Sequence, residues 1–410
     1  MSKQGNRANN KMAIIKQLSK ALLQLMVVGS AATFSYYLYL KWPTGLDKEV
    51  AKPAADTLKD LLVFVEQHQG VNPNLLASST YRPDEPLYAA LVAIQQKNWT
   101  HASELLKPLV DQGNADAMFW LAEISYRSNA FAGSEGAELF KAAAKLGNPY
   151  AAIRLTPKYN RYSCEMRMRR DCDDAWGDVA IELLKQRTAA GYLKAEYALL
   201  AYARYDRPDA EYFQRYLEIV KKSAEQNYFR PLNRLVEMYF DREHLSPFDE
   251  SKNPLTESDK QALLQLLTYA ANNNNLDSAA LIYWNFSDLP NATETANNTI
   301  IRNLSTITKE RHSNIALDYW VNQGKQHRDA LLLGFAYAKA WDDATLGEAD
   351  ARQFTPRNQR SLSISQYNAD LAALSDEEQG RAIAEYGAGI ELQPVIYLDG
   401  ISGAWDDSIF

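Results

Sequence analysis

Cysteine occurs only twice in 410 residues and histidine only five times, and both scarcities exclude chemistry. A small domain held by several disulfides needs more thiols than this. His68, His101, His244, His312 and His327 are dispersed, none three or four positions from another, so no helical metal pair is written in the sequence. Gly-x-Gly-x-x-Gly, the Walker loop and the Gly-x-Ser-x-Gly elbow are all missing, which removes the usual signatures of nucleotide use and hydrolysis. Adjacent acids such as Asp342-Asp343 and Glu377-Glu378 diverge on a helix rather than converge. No catalytic residue, cofactor or metal is expected.

An excess of positive charge is also absent. The chain has 44 Lys and Arg against 51 Asp and Glu. Five of those cations, Lys3, Arg7, Lys11, Lys16 and Lys20, lie in residues 1–20, so the remainder sets 39 cations against the same 51 acids. That balance argues against nucleic-acid binding.

Long apolar runs are scarce too, with one exception. Residues 21–40, ALLQLMVVGSAATFSYYLYL, carry no charge and are long enough to span a bilayer as a helix. Tyr36, Tyr37, Tyr39 and Trp42 at the far end suit an interfacial belt, and the basic tail 1–20 is expected to stay in the cytoplasm. A cleavable signal peptide competes, since Gly29-Ser30-Ala31-Ala32 offers small residues for cleavage. The apolar character continues to Leu40, which favours an uncleaved, single-pass anchor. Either reading exports the rest of the chain.

What the sequence does have is a recurring turn. In GAELFKAAAKLGNPYAAIRL, residues 136–155, two helical sets of apolar and small residues flank Gly147-Asn148-Pro149. Glycine ends the first helix and proline opens the second. The same turn returns at Gly113, Gly191, Asn227, Asn274 and Gly324, 34 to 50 residues apart, with asparagine able to take the same left-handed conformation. Helix pairs of this kind cannot bury their apolar faces alone and stack into an α-solenoid.

These residues resemble the Sel1-like repeat, a relative of the tetratricopeptide repeat. The resemblance rests on Ala143-Ala144-Lys145-Leu146-Gly147, Lys222-Ser223-Ala224-Glu225-Gln226-Asn227 and Leu333-Gly334-Phe335-Ala336-Tyr337. It covers residues 86–340, with asparagine at 227 and 274 where the family has glycine. It implies an all-α, α/α superhelical solenoid that acts as a scaffold or adaptor for other proteins, and it carries no catalytic residues.

Around this array, residues 41–85 read as a connector with one helix near Thr57–Val65 that sets the distance of the solenoid from the bilayer. Residues 341–410 read as a region capping the open end, its last stretch being alternatively a segment that docks on a partner. Residues 285–305 read as a long polar loop between repeats that leads into a helix. Their Asn-x-Ser/Thr triplets fall where asparagine is abundant and chance matches are expected.

An insertion after Leu155, TPKYNRYSCEMRMRRDCDDAW, holds Cys164 and Cys172. Two thiols without a nearby histidine leave a metal site incomplete, and the spacing is not Cys-x-x-Cys. A disulfide formed in an exported compartment is the expectation. Arg161, Arg167, Arg169 and Arg170 beside it read either as a partner-facing patch or as a solvated loop paired with its neighbouring acids.

Taken together, the features predict an inner-membrane protein of a Gram-negative bacterium. Its N-terminus is cytoplasmic, and its bulk is a periplasmic scaffold for envelope proteins. The alternative is a glycan-binding or polysaccharide-export module in which some of the 24 tyrosines stack on sugars. The partner and the oligomeric state are not encoded in any motif.

Overall fold

The computed structural model describes residues 58–96, 98–128, 133–164, 168–203, 210–240, 255–307, 310–324, 328–345, 371, 373–387 and 393–401. All belong to one compact unit, Lys52–Tyr205 with Asp209–Phe410. The basic tail and the run 21–40 lie outside the described residues. Among the described residues no helix is long and apolar enough to cross a membrane.

Seventeen α-helices and no strands occur among the described residues. They are α1 (Lys59–Gln67), α2 (Tyr88–Gln95), α3 (Trp99–Asp111), α4 (Ala115–Ser128), α5 (Gly133–Lys145), α6 (Pro149–Arg154), α7 (Pro157–Ser163), α8 (Ala175–Ala189) and α9 (Leu193–Ala203). After these come α10 (Ala210–Glu225), α11 (Arg230–Phe240), α12 (Glu257–Asn272), α13 (Leu276–Asn285), α14 (Ala292–Arg302), α15 (Glu310–Gly324), α16 (Arg328–Thr345) and α17 (Asp376–Tyr386). From α2 onward each helix packs chiefly on its neighbours in sequence, the contact pattern of a stacked array.

One turn is built five times with the same hydrogen bonds. Gly113, Gly147, Gly191, Asn227 and Asn274 have φ of 81°, 93°, 86°, 58° and 63°. Each donates its N–H back to the third residue before it: Val110, Ala144, Thr188, Ala224 and Ala271. The next N–H in turn reaches Leu109, Ala143, Arg187, Ser223 and Ala270. This pair of bonds satisfies the last carbonyls of the outgoing helix, and the left-handed residue makes it possible. In three copies an asparagine follows and caps the incoming helix. Asn114 accepts from Ala117 N, Asn148 from Ala151 N and Asn275 from Ser278 N.

Gly324 departs from this pattern. It ends α15 without a positive φ, and a Cβ there would lie 2.3 Å from Leu331 Cγ. Its lack of a side chain therefore serves the close approach of α15 to α16. Gly334 does the same against Trp320, 3.2 Å from its Cβ.

Two further expectations are corrected. Residues 292–302 are helix α14, because Ala292, Ala296, Thr299 and Ile300 line one face and bury it, so the loop shrinks to the turn around Asn291. The described part of the connector is no spacer: Leu58, Leu61, Phe64 and Val65 of α1 are buried, and α1 packs on α12.

The apolar interior falls into two clusters. One runs mostly from α9 to α17 and includes α1; the other runs from α2 to α9. Phe119, Trp120 and Phe140 anchor the second at 0–1% exposure, where each aromatic ring lost would cost about 3–5 kcal/mol.

Candidate functional site

The chain's own residues 393–401 lie between the two apolar clusters of the array. They form no helix, and alternate side chains part to opposite sides. Val395 and Tyr397 enter one apolar cluster, Ile396 and Leu398 the other. A two-residue alternation of this kind belongs to an extended segment.

Residues far apart in sequence bind its backbone. Gln393 N donates to Ser305 O and Val395 N to Thr306 O. Tyr88 Oη donates to Pro394 O at 2.6 Å, and Gln95 Nε2 to Val395 O at 2.9 Å. Gln95 Oε1 accepts from Tyr397 N at 2.6 Å and Leu398 N at 3.2 Å. Ile396 N donates to Ser79 Oγ, and Ile396 O accepts from Thr80 N and Thr80 Oγ1. A segment with no secondary structure of its own thus has its buried peptide groups satisfied by the groove, which removes the cost of burying them.

Three positions are also read by side-chain identity. Tyr397 Oη accepts from Leu276 N, 2.9 Å away at the start of α13, and its ring lies edge-on to His312 at 5.9 Å. Asp399, 2% exposed, accepts from Tyr228 Oη at 2.7 Å and lies 3.6 Å from Arg230 Nε. Burial, reinforced by the Asp399 charge, pushes the Tyr228 phenol well above its ordinary value. Gly400 presses on Tyr150, where a Cβ would come within 2.0 Å of the ring.

At the far end, Arg154 Nη2 donates to Gly400 O and Ile401 O at 3.4 and 3.5 Å. Arg154 is held by Glu123 at 2.6 Å, with Glu123 at 0% exposure. Burial works against the guanidinium charge, but Glu123 and Tyr202 together more than offset it and hold the group above its ordinary range. Lys194 donates to Thr80 O at 2.9 Å and approaches the rings of Tyr81 and Tyr228. Burial lowers its pKa against the opposing pull of Asp399 and Glu85.

Of the residues singled out from sequence, Asn274 borders this site, and Gly191 and Asn227 line a cavity beside Ser79 and Thr80. Asn274 Oδ1 accepts from Arg302 Nε and Nη2 and from Asn303 Nδ2, and its Nδ2 donates to Asn72 O and Asn74 O. It thereby ties α14 and the strap before α2 to one turn. Gly113, Gly147, Gly191 and Asn227 shape their own turns.

Cys164 and Cys172 form a disulfide, their Cα atoms 5.7 Å apart, and close the insertion against the core. Arg161 and Arg170 are exposed. Arg167 and the side chain of Arg169 lie outside the described residues.

The groove residues Ser79, Thr80, Gln95, Glu123 and Arg154 escaped the sequence reading. A signal was there: Glu123 and Arg154 each interrupt an apolar stretch, AMFWLAEIS and YAAIRL, at a buried position. No family model, curated protein or solved structure matches this chain. The Sel1-like resemblance therefore rests on the repeat residues alone.

Proposed function

We propose that the chain is a membrane-anchored scaffold of the bacterial envelope whose Sel1-like helical array receives an extended segment of a protein partner in its groove. The observation that carries this reading is the backbone-binding row of Ser79, Thr80, Tyr88, Gln95 and Thr306, which already holds an extended segment. Such a row binds main chain, as a peptide receptor must.

The charge-free run 21–40 behind a basic tail supports an inner-membrane anchor with a cytoplasmic N-terminus. The Cys164–Cys172 disulfide supports a periplasmic bulk. The test is crosslinking of the full-length protein in intact cells, followed by mass spectrometry of captured proteins and of its own N-terminus. Envelope proteins joined to groove residues, with Leu22–Leu40 retained, are expected; no captured protein, or a mature chain starting near Thr33, would contradict it.

A second reading, binding of a neutral glycan, has its own observation. Tyr197 and Tyr216 are buried against one another and offer no face to a sugar. Elsewhere a cavity of about 460 Å³ is lined among others by Tyr283, Tyr319, Asn297, Asn298, Asn322 and the single acid Glu294. Asn297 Oδ1 is buried there without a hydrogen-bond partner. Titration with neutral oligosaccharides tests it: binding lost in Tyr319→Ala supports this reading, and no heat of binding contradicts it.

A further inference from the structure

We infer that the groove is selective for one peptide pattern, two apolar residues followed by Tyr-apolar-Asp-Gly, and captures a partner protein carrying it. Residues 393–401 are the resident competitor for that site. The inference rests on the scaffold reading above and adds the chemistry of the partner.

Each element of the pattern corresponds to an observed contact. The two apolar positions are Val395 and Ile396, both at 0% exposure and directed into different clusters. Tyrosine is required because its hydroxyl accepts the Leu276 N–H at the helix start, where phenylalanine would leave that donor buried and unmet. The acid is required by Tyr228 and Arg230. Glycine is required because Tyr150 occupies the space of any Cβ. The bonds from Ser79, Thr80, Tyr88, Gln95, Ser305 and Thr306 go to main chain, which every peptide supplies.

The tail does not fill the groove. A cavity of about 360 Å³ remains beside Tyr397 and Ile401, lined among others by Arg230 and Arg234 and by the acids Glu237 and Asp277. Another of about 330 Å³ opens where Ser79 and Thr80 meet Lys194 and Tyr228. These cavities leave room for a partner segment bulkier than the tail.

The test uses full-length protein and a fluorescent peptide, PVIYLDGI, identical to residues 394–401. Gly400→Ala weakens the resident tail, so this variant is expected to bind the peptide at least tenfold more tightly than the wild-type chain. The same peptide with its own Gly400→Ala or Tyr397→Phe change is expected to bind at least tenfold more weakly. If Gly400→Ala lowers the melting temperature, added peptide is expected to restore it.

Three results would overturn the inference. The first is a folded variant that ignores the peptide, and the second is an unfolded variant that the peptide does not rescue. The third is a mass measurement showing that tails exchange between two copies and leave no open groove. Partners crosslinked elsewhere on the array, with no peptide binding, would sink this motif while leaving the scaffold reading intact.

Discussion

Asn274 and Asn227 look alike in the sequence and do different work. Both hold the left-handed turn, at φ of 63° and 58°, but only Asn274 is fully buried, with its carboxamide engaged by Arg302, Asn303 and two backbone carbonyls. Glycine keeps the backbone conformation at either site and removes the side chain. Asn274→Gly is therefore expected to cost at least ~2 kcal/mol by leaving buried partners unmet, and Asn227→Gly less than ~0.5 kcal/mol. Urea unfolding of the two variants measures the contrast, and equal losses would contradict the assignment. The Glu123–Arg154 pair behaves similarly. Glu123→Gln leaves a buried guanidinium without its counter-charge, and the expected loss is about 3–5 kcal/mol, read from the same unfolding curves.

At the level of elements, the helix pairs were legible because local chemistry sets their ends. Gly113, Gly147 and Gly191 announce turns through conformational freedom, and Pro149 announces a helix start. Gly324 shares the spacing but not the geometry, since a glycine serving close approach is written with the same letter as one serving a turn. Helix α14 was hidden by its asparagines, whose polarity masks the buried face of Ala292, Ala296 and Ile300.

The insertion offers a test at this scale. The Cys164–Cys172 bond closes a short loop, and its reduction is expected to lower stability by about 2–3 kcal/mol. An unchanged unfolding midpoint in reductant would show that the loop adds nothing to the fold.

Across the whole molecule, the long-range associations were not legible at all. Thr80 meets Ile396 and Tyr228 meets Asp399 across more than 150 residues, and no local pattern encodes such partners. Sequence suggested that the C-terminal region caps the array or docks on a partner, and pointed to no site for it on the chain itself. Helix α17 does pack on α16 near that end, but residues 393–401 turn back into the groove and join its two apolar clusters.

Burial across both clusters also sets an alkaline limit. It pushes the phenols of Tyr88 and Tyr212 up to about 12, and those of Tyr81, Tyr150 and Tyr216 upward as well, from an ordinary 10.0. The folded chain keeps these protons where the unfolded chain has lost them, so stability is full below about pH 10 and declines as pH rises above it. Absorbance at 295 nm should show these tyrosines ionising together with unfolding. Independent ionisation in a folded protein would contradict their burial.

The central claim is that residues 393–401 occupy the groove as a bound segment. Amide hydrogen exchange of the full-length protein tests it most directly. The amides of Val395 to Leu398 are expected to exchange as slowly as those of the buried helices, and to quicken in Gly400→Ala. Exchange at the rate of a free peptide in the wild-type chain would place the segment outside the groove and remove the basis for a peptide receptor.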